Sequence, residues 1–156
     1  MKFLSLVLLL LVSLNTCSNA PFEPFEFFYS ITGEQAVILS LLPGNDGVEM
    51  RTRVYPEDGL IGIGEVPARD DTRLLSAQEA GQVQELFRAV QFQSLGSDTY
   101  IPPLDASVWA VNTRETVDDY YTVLEPGEAV EERGLGDLIE LGTYLWRLAD
   151  LRGNLY

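Results

Sequence analysis

The chain has 156 residues, no histidine, a single cysteine (Cys17) and a formal charge of −14. Imidazole-based triads and imidazole metal sites are excluded, and Cys17 has no second cysteine with which to build a disulfide framework. Lys2 is the only lysine, so a mature chain lacking it can form neither a Schiff base nor a Walker A loop, and its acidity repels nucleic acid and anionic lipid.

The N-terminus reads as an export signal. Met1-Lys2 gives a short positive start, and Phe3 to Leu14 is apolar apart from Ser5 and Ser13. About a dozen apolar residues is short for a bilayer span, and no stop-transfer pattern follows. Two cleavage sites fit. Ser18-Asn19-Ala20 has small-x-small spacing, with Pro21 unfavourably placed after the bond. Leu14-Asn15-Thr16-Cys17 resembles a bacterial lipoprotein box in which Cys17 takes the lipid, with Thr16 where that box has Gly, Ala or Ser. The expected organisation is a signal peptide over 1–16 (to 20 on the first alternative), a tether over 17–24 and one domain over 25–156. Membrane contact is expected only through a lipid on Cys17. The destination is the cell envelope as a lipoprotein, or the secreted or periplasmic fraction without the lipid.

Phe25 to Ile31, FEFFYSI, reads as a strand, and Ala36 to Leu42 as a second one rich in Val, Ile and Leu. Pro43-Gly44-Asn45-Asp46-Gly47 is a hairpin turn. Val48 to Tyr55 alternates, with Val48, Met50, Thr52 and Val54 on one side and Glu49, Arg51, Arg53 and Tyr55 on the other, the pattern of a half-buried strand. Leu60 to Val66 reads as a fourth strand, and Pro67 to Arg73 as a polar linker.

Ser76 and Glu79 then have capping-box spacing ahead of a helix over 77–91, whose apolar stripe is Ala80, Val83, Leu86, Phe87 and Val90. Gln84 belongs to its wetter side. Residues 93 to 104 read as a loop, Asp105 to Thr113 and Tyr120 to Leu124 as strands, and 135–150 as a closing helix. Gly142 within the buried stripe of that helix implies a close helix contact, because glycine there costs helix propensity. The expected fold is α+β: an antiparallel meander of five or six strands packed by two helices.

The chemistry left is that of carboxylates and arginine. Glu65 with Asp105 or Glu49 is a formal glycosidase-type pair, but nothing in the sequence makes these residues converge. Asp70-Asp71, Asp118-Asp119 and Glu131-Glu132 lack the spacing of a calcium loop. No catalytic residue, metal site or cofactor is therefore assigned. The candidate interaction residues are Trp146, Tyr144, Arg147, Trp109 and Tyr121, because Trp, Tyr and Arg carry binding energy at interfaces. Trp146 reads as lying off the buried stripe and is the leading exposed contact. For Trp109 and one tyrosine of the Tyr120-Tyr121 pair, packing beneath the helices is the competing reading. Phe22, Phe25, Phe27 and Phe28 read as the cover of a sheet edge.

Leu75 to Leu86, Phe92, Leu95, the Asp105-Ala106-Ser107-Val108-Trp109 strand, Tyr120-Tyr121, Pro126 and the Leu135–Leu151 helix together resemble a group of small bacterial exported and lipid-anchored proteins. In those, a Leu-Ser-x-x-Glu helix precedes an Asp-x-x-x-Trp strand, and a leucine-rich helix closes the chain. That resemblance implies export and no particular activity. The strand-helix-strand-helix order is also similar to that of emfourin-type metalloprotease inhibitors, without their glycine-rich opening strand. The expected function is that of a non-enzymatic exported protein that binds another protein. The alternatives are a protease inhibitor, with the 67–73 or 96–104 loop entering a cleft, and a small carboxylate-dependent hydrolase.

Overall fold

The computed structural model describes residues 21–31, 35–56, 65–95, 100–101, 106–113 and 120–152. The signal segment and Cys17 lie outside the described residues, as do Leu60 to Gly64, Asp105, and Asp118-Asp119.

The fold is α+β, with a six-stranded antiparallel sheet packed by two long helices. Strands β1 (Phe25–Ile31), β2 (Ala36–Gly44), β3 (Gly47–Tyr55) and β4 (Arg69–Leu74) form a meander. Helix α1 (Ala77–Ala89) and a short turn of helix, α2 (Phe92–Leu95), follow it. The chain then adds β5 (Ser107–Asn112) beside β1, next β6 (Tyr120–Leu124), and closes with α3 (Gly136–Leu148). The spatial order is β4-β3-β2-β1-β5-β6, so β1 is central.

Alternation along each strand separates a helix-facing side from an outer side. In register across the sheet, Thr52, Leu39, Phe27, Val111 and Tyr121 form one helix-facing row, and Val54, Val37, Tyr29, Trp109 and Val123 form the next. Phe87 of α1 stacks on Phe25 at 4.2 Å, and Phe92 of α2 meets Tyr121 at 5.0 Å, which places these helices on the same face. On the outer face, Arg53 donates to Ser40 Oγ (3.1 Å) and to Glu26 Oε1 (3.3 Å), and Ser40 donates to Glu26 (2.7 Å), tying β1, β2 and β3 together.

Two expectations are corrected by the topology. Among the described residues the strand after β3 is Arg69–Leu74, which takes in most of the segment read as a linker, and Glu65 and Val66, the described end of the expected Leu60–Val66 strand, belong to no strand. As an edge strand β4 is mostly wet on both sides, so it carries charges in place of an alternating apolar pattern. Arg51 grips Asp70 with two hydrogen bonds (2.7 and 2.6 Å), and Arg69 grips Asp71 likewise (2.6 and 3.1 Å). The phenylalanine group does not cover an edge either: Phe25 and Phe27 are in the core beneath the helices, on the central strand.

The close contact at Gly142 is with the sheet. A Cβ there would lie 2.5 Å from Trp109 Cζ3, 2.8 Å from Cη2 and 3.0 Å from Phe27 Cζ. Trp109 is 0% exposed, so its ring has no route of escape. Gly142→Ala should therefore destabilise the domain by about 1–3 kcal/mol through overpacking, read as a lower urea midpoint at unchanged slope. A gain of about 1 kcal/mol, the propensity benefit of Ala in an unconstrained helix, would contradict this packing.

Candidate functional site

The start of α1 is fixed by the capping box. Ser76 Oγ accepts from the Glu79 N–H at 3.2 Å, and Glu79 Oε2 accepts from the Ser76 N–H at 2.8 Å. From the end of β4, Arg73 donates to Glu79 Oε1 at 2.9 Å. The Ser76 amide, the Arg73 guanidinium and the Ser76 hydroxyl together hold the Glu79 carboxyl down at a pKa of about 2. Further along α1, Gln84 Oε1 accepts from the Glu23 N–H (2.8 Å), and Arg88 donates to the Glu23 carboxylate (2.8 Å). That strap buries Gln84, which the helical pattern places on the wet side.

The start of α3 is held differently, with no side-chain cap. Arg133 donates to the carbonyls of Leu124 (2.6 Å), Glu125 (2.7 Å) and Glu128 (3.0 Å), and its guanidinium lies 4.3 Å over the Tyr100 ring. The Glu125 carboxylate accepts from the Ser107 N–H at 2.8 Å. This clasp closes a connection whose left-handed turns fall at Glu125, Ala129 and Gly134.

Between the two long helices runs a polar groove of about 680 Å³. Ser76, Gln78, Glu79, Gln82 and Leu86 of the α1 side form one wall, and Glu140, Tyr144 and Arg147 of α3 the other. Tyr144 is half-buried, and the exposed Arg147 guanidinium stands 5.6 Å from the centre of its ring. Two amide side chains, two hydroxyls, two carboxylates and one guanidinium thus converge on a concave surface able to hydrogen-bond a ligand from both walls.

Of the five candidate residues, Tyr144 and Arg147 are brought together in this groove. Trp146 is corrected: it is only 6% exposed and packs edge-on against Tyr29 at 5.0 Å. Its position, one turn after Gly142, lies on the same helix face as that glycine. Trp109 is core, as its competing reading had it, and Tyr121 is half-buried against Phe92. Nothing in the sequence pattern assigns Gln78, Gln82 or Glu140 to a site. Each is legible as polar helix surface, but only the packing of α3 beside α1 makes them face one another.

Asp105 and Asp118-Asp119 lie outside the described residues, and the candidate clusters within them do not assemble. Asp70 and Asp71 are engaged by Arg51 and Arg69, and the hydrogen bond from Arg51 holds the Asp70 carboxyl below its ordinary value. Glu49 lies near the start of β3 and Glu65 beyond its far end at Tyr55, which puts roughly 20 Å of strand between them. Among the described residues no group of three or more His, Cys, Asp or Glu could hold a metal, and no helix is long and apolar enough to cross a membrane. The 67–73 segment, expected as a projecting loop, is mostly sheet. Comparison of the chain with family models, with curated proteins and with solved structures gave no match.

The Glu79 contacts fix the sign of one acid response. A carboxyl whose pKa is lowered on folding contributes stability that is complete above its ordinary value, 4.5, and is lost as pH falls through about 2. Glu79→Gln should lower stability at pH 7 and flatten the decline between those two values, and Ser76→Ala should cost about 1 kcal/mol at neutral pH. Urea midpoints from pH 7 to 2 check both. A Glu79→Gln curve parallel to the wild type would refute the assignment.

Proposed function

We propose that this chain is a non-enzymatic, exported protein-binding domain and that the groove between α1 and α3 is its contact surface. The observation that carries this reading is the pairing of Tyr144 with Arg147 on the groove wall. Tyrosine and arginine are enriched among the residues that dominate interface energetics. Here they meet on a concave surface whose opposite wall offers Gln78 and Gln82 as both donors and acceptors. Both walls are pinned from behind, by the Ser76–Glu79–Arg73 contacts on one side and by the Gly142–Trp109 contact on the other. A preset surface loses less entropy on binding than a mobile one. Export follows from the Met-Lys start and the apolar run to Leu14.

The test is site-specific photo-crosslinking from Gln82 in the native envelope and secreted fractions. Wild-type protein should give a defined covalent adduct with one partner. Tyr144→Ala and Arg147→Ala should each weaken binding to that partner by about 2 kcal/mol, roughly thirtyfold in Kd, at unchanged melting temperature. Adducts that persist undiminished in both variants, or none in any fraction, would overturn the proposal.

A further inference from the structure

The arginines of this acidic chain are mostly committed. Arg51, Arg53, Arg69, Arg73 and Arg88 each hold a carboxylate. Arg133 holds three backbone carbonyls. Arg147 and Arg152 have no carboxylate among the described residues, although the chain contains 24 acidic residues, and of the two it is Arg147 that lines the groove, with the Tyr144 ring beside it. On the same groove wall Glu140 likewise has no cation partner among the described residues. The two stand nearly two turns apart on one face of α3, about 10 Å along the axis, beyond the one-turn reach at which side chains on a helix pair. Tyr144 lies between them. The remaining charge in the groove, Glu79, is already saturated by Arg73 and Ser76.

Resting on the groove as the contact surface, we propose that it takes a peptide segment of the partner that carries a carboxylate for Arg147 and a basic group for Glu140. The charge complementarity fixes the direction in which the segment lies, because reversal would bring like charges together at both ends. In an extended segment, rising about 3.3 Å per residue, the two charges fall two to four residues apart. Gln78 and Gln82 face the peptide backbone from the other wall, and Tyr144 supplies the apolar contact between the charges.

The probe is a phage-displayed library of random peptides panned against the signal-cleaved protein, against Arg147→Glu, against Glu140→Arg and against the double exchange, all checked for unchanged melting temperature. Wild type should enrich peptides with an acid and a base at that spacing in one order, and the double exchange should enrich the opposite order. A synthetic wild-type-selected peptide should bind each single variant at least tenfold more weakly, and its charge-reversed version should bind the double exchange. Selection of the same peptides by wild type and double exchange, of peptides without paired charges, or of none, would overturn the proposal. If Tyr144→Ala abolishes peptide binding while the charge exchanges leave selection unchanged, the contact surface stands and the dipolar segment falls.

Discussion

The contact between Gly142 and Trp109 is the constraint on which the rest of the molecule depends. A side chain at that position would be driven into the full indole that β5 presents beneath the helix. Because the glycine has no Cβ, α3 rests directly on the ring, and Phe27 and Tyr29 close around it at 5.2 and 6.4 Å. The same approach brings Trp146 down onto Tyr29 and turns Glu140, Tyr144 and Arg147 toward α1. Burial, helix placement and the groove are thus one event in the packing.

Charge is managed separately on each part of the surface. The β3–β4 corner sets arginines against carboxylates in bidentate pairs, which blunts an edge strand that would otherwise offer free backbone groups to a neighbour. Exposed pairs of this kind add little to stability and serve mainly to keep the edge from pairing. The groove is organised in the opposite way. There Glu140 and Arg147 have no charged partners among the described residues, and such groups are available to a ligand.

Much of the fold was legible in the sequence where a local rule is strong. The Ser76–Glu79 spacing, the Asn45-Asp46 turn and the alternation from Val48 to Val54 each have a short-range cause, and each is present. What was illegible depends on neighbours distant in sequence. Strand β4 has no apolar alternation because an edge is wet, so Arg-Asp-Asp-Thr-Arg reads as a linker until its register with β3 is known. Gln84 is buried by the strap at Glu23, 61 residues away. Trp146 lay on the glycine's own helix face, a signal present in the spacing. The groove had no sequence signature of its own, since two polar helix faces become a site only when packing turns them toward each other.

The most direct test of this account is a double-mutant cycle between Gly142→Ala and Trp109→Leu, measured by urea unfolding. If the helix is seated on the indole, the alanine is costly in the wild-type background and close to neutral, or favourable, once the ring is gone. A coupling of at least about 1 kcal/mol, within the range for contacting residues, is the predicted result. Additive effects within about 0.5 kcal/mol would show that Gly142 does not rest on Trp109, and the placement of α3 and of the groove wall would fall with it.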